Sequence, residues 1–176
     1  MVQSSGNFIY WTRFTHEQWN MYIAATPLGL CYVGSQNKEF EELKNWAKKR
    51  LSSADLVENA DYMQSYSDGL IEYLKGESRN FSEPVDLHGT PFQKGVWKAL
   101  QEIPYGQTVS YTDIAVRVQK PSAVRAIGTA IGANPVLITV PCHRVLAKSG
   151  AMAGYRGGLE MKEQLLALER GKEITE

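Results

Sequence analysis

The period of the hydrophobic pattern changes along this chain, and the change limits the folds open to it. Residues 8–14 and 20–26 are aromatic and β-branched, and 30–33 is a short apolar run. These read as a small β-meander, with Thr26-Pro27-Leu28-Gly29 as a turn. From residue 38 the apolar positions mostly return every three or four residues. Phe40, Leu43, Ala47 and Leu51 mark one amphipathic helix. Leu56, Met63, Leu70 and Leu74 predict a second over 53–75, closed by Gly76. Residues 77–89 have no clear period and read as a linker, so the expected division is 1–84, with the linker at its end, and 85–176.

The second part is punctuated for helices. Thr90, Pro91 and Gln93 form a capping box with proline at the first helical position, and Phe92, Val96, Leu100 and Ile103 give that helix its apolar stripe. Ser110 is placed to cap a helix over 111–118, with Ile114, Ala115 and Val118 inward. Lys120-Pro121-Ser122 breaks it, and Ser122 is expected to cap another over 123–131, ended by Gly132. Helix, break, helix is the helix-turn-helix pattern. The second helix is built of very small side chains, from which one long cation, Arg125, stands out. Residues 136–140 read as a strand, 148–158 as a glycine-rich loop and 159–170 as a last helix.

Composition excludes several classes. The 176 residues are 43% hydrophobic and 22% charged, which is globular usage. No apolar run approaches the ~20 residues of a membrane helix, and the first residues lack a signal-peptide pattern. A cytoplasmic protein is the expectation. Two cysteines, Cys31 and Cys142, exclude a disulfide framework, and the three histidines do not stand at metal-ligand spacing with them. Neither a metal nor a cofactor is expected. Net charge is zero, yet residues 1–84 carry 8 basic and 11 acidic side chains, and 85–176 carry 11 and 8. The positive surplus suits an anionic partner.

Cys142 is the side chain with most chemistry to offer. It follows a proline and is flanked by His143 and Arg144, groups that favour a thiolate. A small buried hydrophobe is the competing reading, and spacing alone balances the two. Adjacency does not make Cys142 and His143 a dyad; a turn or a bridging water is needed. Cys31 sits in an apolar run and reads as packing. By default Glu169 is a solvated carboxylate and Gly157-Gly158 a turn. Tyr111 reads as a core aromatic or a site residue, and its place at the start of its helix does not decide between them. Arg125 reads as a helix-surface charge or a DNA-inserting residue, and the small-residue helix around it favours the second.

Four blocks in order resemble one family. They are TPFQKGVWKALQEIPYGQTVSYTDIA, RAIGTAIGANP, ITVPCHRVLAKSGAMAGYRGG and GGLEMKEQLLALE, centred on Pro-Cys-His-Arg-Val at 141–145. The chain resembles the O6-alkylguanine-DNA alkyltransferases, closely over about 85–170 and loosely before. The resemblance implies an N-terminal α/β domain with an antiparallel sheet like that of ribonuclease H. It implies a mainly helical, winged-helix-like C-terminal domain that binds DNA through the helix-turn-helix. Cys142 would accept the alkyl group from O6-alkylguanine or, less efficiently, O4-alkylthymine. Tyr111 would help rotate the nucleotide out and donate a proton toward guanine N3. Arg125 would fill the vacated space, with Ala123, Ala126, Gly128 and Thr129 on the DNA-facing surface. Asn134 would bridge that helix and the site. His143 would take the thiol proton through a water, oriented by Glu169. Val145, Tyr155 and Arg156 would contact the base. Relatives often carry a small residue where Arg156 stands, which bears on pocket width. The structural zinc of animal members is not expected.

The implied partner is double-stranded DNA, approached through the minor groove by a monomer with little sequence preference; no membrane is involved. Direct extrusion of a stacked nucleotide costs a few kcal/mol, and an inserted side chain offsets it. Two other readings compete: a DNA-binding sensor without transfer, and a cysteine hydrolase built on Cys142, His143 and Glu169. The first is disfavoured by the presence of Cys142, and the second leaves the helix-turn-helix unexplained.

Overall fold

The computed structural model describes residues 7–171. The chain divides into two compact units between His88 and Gly89.

The first unit is a four-stranded sheet with two helices. Strands β1 (Phe8–His16), β2 (Trp19–Thr26) and β3 (Gly29–Val33) form the meander, and helices α1 (Phe40–Arg50) and α2 (Gln64–Leu74) follow. A strand not foreseen, β4 (Asp55–Glu58), lies where a helix was expected to begin. It pairs parallel to β1, Phe8 opposite Asp55 and Trp11 opposite Glu58, so the order is β3-β2-β1-β4 and the sheet is mixed rather than antiparallel. The apolar spacing of Leu56 and Met63 matched a helix, but pairing with β1 outweighs that local pattern. Ile9, Ala24, Cys31, Tyr32, Leu43 and Ala47 make the core between sheet and α1.

β3 is a terminal strand of the sheet, yet all five residues are buried. Part of the expected linker covers it. Leu30 N–H donates to the Pro84 carbonyl at 2.9 Å, and Asp86 N–H donates to Leu30 at 2.8 Å. Open strand edges invite association, and this backbone cover removes one. Gly29 makes the approach possible, since a Cβ there would lie 2.7 Å from the Pro84 oxygen. Thr26 Oγ1 donates to Asp86 at 2.5 Å and fastens the segment further.

The second unit is mainly helical. Helix α3 (Pro91–Gln101) begins with the complete Thr90–Gln93 capping box. β5 (Val109–Ser110) runs directly into α4 (Tyr111–Arg117), where Ser110 and Asp113 form another box. After a break comes α5 (Val124–Gly132); α6 (Leu159–Glu169) ends the unit. Trp97 is buried and its Nε1–H donates to the Ala130 carbonyl at 2.8 Å, tying α3 to α5. β6 (Val145–Leu146) pairs parallel with β5.

Two local expectations are corrected. Ser122 does not cap α5; Ala123 is the N-cap, without a side-chain hydrogen bond. Residues 136–140 are not a strand but a buried turn. Val140 N–H donates to Val136 at 3.1 Å, and Ile138 has φ +69°. A β-branched residue in that region is strained by roughly 1–3 kcal/mol and persists only where its surroundings hold it. Val136, Leu137, Ile138 and Val140 are fully buried, which supplies that constraint.

Candidate active site

The buried turn delivers the chain into a single 3-10 turn, Cys142–Arg144, between Pro141 and β6. This geometry answers the adjacency problem, because a turn spreads the three side chains around an axis. Cys142 borders a cavity of about 400 Å3, together with Tyr111, Gly128, Ile131, Gly132, Gly154, Tyr155 and Arg156. Three glycines keep the walls thin, and two aromatic rings face the space.

Asn134 is the organiser of the turn. Its Oδ1 accepts from Val136 N–H at 2.9 Å, and its Nδ2 donates to the Val140 carbonyl at 2.9 Å and to Cys142 Sγ at 3.2 Å. One buried amide thus spans the strained loop and fixes the sulfur. Burial raises the Cys142 pKa above the ordinary 9.0; the Asn134 hydrogen bond, then Arg156 and Lys162, oppose the rise. Sulfur here is held ready rather than ionised at rest.

His143 is fully buried, and its Nε2 lies 2.7 Å from Glu169 Oε2. Arg144 donates to the same carboxylate through Nε and Nη2, both at 2.8 Å, and through Nη1 to Ile103 O at 2.6 Å. Gly106 N–H adds another bond to Glu169, at 3.2 Å. A carboxylate paired with arginine can only accept, so His143 Nε2 carries the hydrogen and Nδ1 the lone pair. That Nδ1 is buried without a hydrogen-bond partner among the described residues. Burial lowers the His143 pKa below 6.5, against the pull of Glu169. A neutral imidazole with an open lone pair is a base in waiting.

Sequence order misled in one respect. Arg144 is next but one to Cys142, yet its charge is committed to Glu169; Arg156 and Lys162 are the cations that favour the thiolate. Glu169 is buried, not the solvated carboxylate of the default reading. Arg156 folds across the cavity wall, donating from Nε to Asn134 O at 3.1 Å and from Nη2 to Pro135 O at 3.2 Å.

The remaining expected residues fall into two groups. Tyr111, half-buried, lines the cavity; burial, and then Cys142, raise its phenol pKa. Tyr155 is raised well above 10.0 by burial, and its hydroxyl has no hydrogen-bond partner among the described residues. Val145 is buried in β6 and does not border the cavity; its carbonyl accepts from Lys162. On α5, Arg125, Ala126 and Thr129 are exposed and Gly128 is half-buried, as is the N-cap Ala123; of these five only Gly128 also reaches the cavity. Lys162, Gly132 and Gly154 were not foreseen. A lysine reads as surface from sequence, and the glycines as turn or helix-end residues.

Comparison with known proteins identifies the family. Residues 9–87 match the family described as 6-O-methylguanine DNA methyltransferase, ribonuclease-like domain, and residues 91–171 match 6-O-methylguanine DNA methyltransferase, DNA binding domain. The chain belongs to the 6-O-methylguanine DNA methyltransferase family. It is 57% identical over 162 residues to the inducible methylated-DNA–protein-cysteine methyltransferase of Bacillus subtilis, covering 92% of this chain and 90% of that one. The crystal structure of Mycobacterium tuberculosis O6-methylguanine methyltransferase superposes with a TM-score of 0.80 at 33% identity over 96% of both chains. Mycobacterium tuberculosis OGT in complex with DNA gives 0.78 at 34% identity over 93% of both.

Proposed function

We propose that this protein repairs DNA by direct reversal, transferring an alkyl group irreversibly from O6 of guanine, and less efficiently from O4 of thymine, to Cys142. It is a methylated-DNA–protein-cysteine methyltransferase that acts once per molecule. One observation carries the reading: a thiol borders a cavity while a neutral buried imidazole, oriented by Glu169, stands beside it in the chain.

The step balances as a displacement at carbon. His143, through a water, takes the thiol proton; the sulfur forms a bond to the alkyl carbon, and the bond from that carbon to O6 breaks. Tyr111, its phenol kept protonated by a raised pKa, donates toward N3 so that guanine does not leave as a bare anion. The thioether product has no route to hydrolysis, so the protein is consumed.

Access requires an extruded nucleotide. The α4–α5 pair works as a helix-turn-helix in a winged-helix-like domain and enters the minor groove of double-stranded DNA. Ala123, Ala126, Gly128 and Thr129 allow close approach, and Arg125 occupies the emptied position in the stack. Binding rests on phosphate contacts with little sequence preference, by a monomer in the cytoplasm. Arg156 lines the pocket, anchored on the carbonyls of Asn134 and Pro135, where it faces the incoming base. Intact-mass measurement after mixing with an O6-methylguanine duplex tests the proposal. The expected result is one added methyl group, mapped to Cys142 and lost in Cys142→Ser; clearance of lesions in molar excess over protein overturns it.

A further inference from the structure

Lys162 is a buried lysine with no place in the scheme above. On α6, among Met161, Leu165 and Leu166, it has no exposed surface. Its Nζ donates to the Val145 carbonyl at 2.7 Å and to the Ala153 carbonyl at 3.3 Å. Among the described residues no carboxylate pairs with it. Burying an ammonium against two neutral acceptors costs more than burying a methionine of similar length. Packing alone therefore does not account for it. The two carbonyls belong to the segment leaving the Cys142 turn and to the loop leading into Tyr155 and Arg156, so one amine ties the turn that carries Cys142 to the loop that lines its cavity.

We propose that Lys162 is a positioning residue for alkyl transfer: its locked ammonium is the buried counter-charge against which the Cys142 thiolate forms. The coupling is mutual. Burial lowers the Lys162 pKa and a charge on Cys142 raises it again, while Lys162 opposes the rise of the Cys142 pKa. Other groups share the field. Arg156 from the loop also favours the thiolate; Tyr111 on α4 and Tyr155 stay neutral; His143, with Glu169 and Arg144 behind it, stands on the turn itself. Lys162 differs from Arg156 in being entirely shut off from water, where a charge is screened least.

This inference rests on Cys142 as the nucleophile, and its test uses no DNA, so its failure is distinct from failure of the repair reading. The rate of Cys142 alkylation by iodoacetamide, which forms a sulfur–carbon bond and expels iodide, is followed against pH by peptide mapping. In Lys162→Met the midpoint is expected to move to higher pH by about one unit, slowing alkylation about tenfold near neutrality, with the rate recovering on the alkaline plateau. An unmoved midpoint, or the same loss at every pH, overturns the proposal and leaves Lys162 a structural tie. Should Lys162→Met fail to fold, the coupling is read from the other end. Lysine ε-13C NMR is expected to show Lys162 titrating at lower pH in Cys142→Ser than in the unaltered chain; equal midpoints overturn it.

Discussion

Arg144 grips Glu169 with two parallel hydrogen bonds, Nε to Oε1 and Nη2 to Oε2, each 2.8 Å long. Both groups are almost completely buried. A paired carboxylate in this position stays ionised and holds His143 in one tautomer. The pair therefore links the stability of the unit to the chemistry of the turn. Replacing Glu169 by glutamine strands the guanidinium. The expected loss is about 3–5 kcal/mol of folding stability, read from denaturant midpoints, with a slower single-turnover transfer in whatever fraction stays folded. Near-normal stability would show that Arg144 finds another partner and that the pair is dispensable.

Asn134 invites a two-variant comparison. Asn134→Ala leaves the Val136 N–H and the Val140 carbonyl unpaired, at about 1–3 kcal/mol for each buried group, and removes the hydrogen bond to Cys142 Sγ. Asn134→Asp keeps an acceptor for Val136 but sets a negative charge against the nascent thiolate. The aspartate variant is expected to react more slowly than the alanine variant at neutral pH. The reverse order would mean that the amide serves only to hold the turn.

His143 should give different pH signatures in stability and in rate. Its folded pKa is depressed by burial, so between that value and 6.5 the unfolded chain binds a proton the folded chain does not. Stability is therefore full above about 6.5 and falls as pH drops through that window. Transfer needs the neutral imidazole of the folded state, so its acid limb is expected at lower pH than the onset of destabilisation. Thermal midpoints and single-turnover rates measured over the same buffers check this. Coincident onsets would contradict a depressed folded value.

Helix starts written in local chemistry were readable: the Thr90–Gln93 capping box and the Ser110 cap appear as the residues dictate. What failed was decided at a distance. β4 looked helical because Leu56 and Met63 keep a helical interval, and only its pairing with β1 makes it a strand. Residues 136–140 have a strand's composition, but the Asn134 side chain folds them into a turn. Of the site, Cys142 and the Tyr111 block stood out by motif. The division of cations did not, since no local rule says that Arg144 turns to Glu169 while Lys162, twenty residues beyond Cys142, faces inward.

Arg125 separates the cost of reaching the lesion from the cost of the chemistry. It is exposed on α5, so truncation to alanine should leave the thermal midpoint within about 0.5 kcal/mol of its original stability. If the guanidinium fills the space left by an extruded base, Arg125→Ala must bear unstacking of a few kcal/mol without compensation. Single-turnover transfer from an O6-methylguanine duplex is then expected to slow by about 10–100-fold, at a factor of ten for each 1.4 kcal/mol. Placing the lesion opposite an abasic site, where less stacking and pairing must be broken, should narrow the gap between the variant and the unaltered protein. An equal loss on both duplexes would instead assign Arg125 to general phosphate binding, and the same loss would then fade as salt is raised.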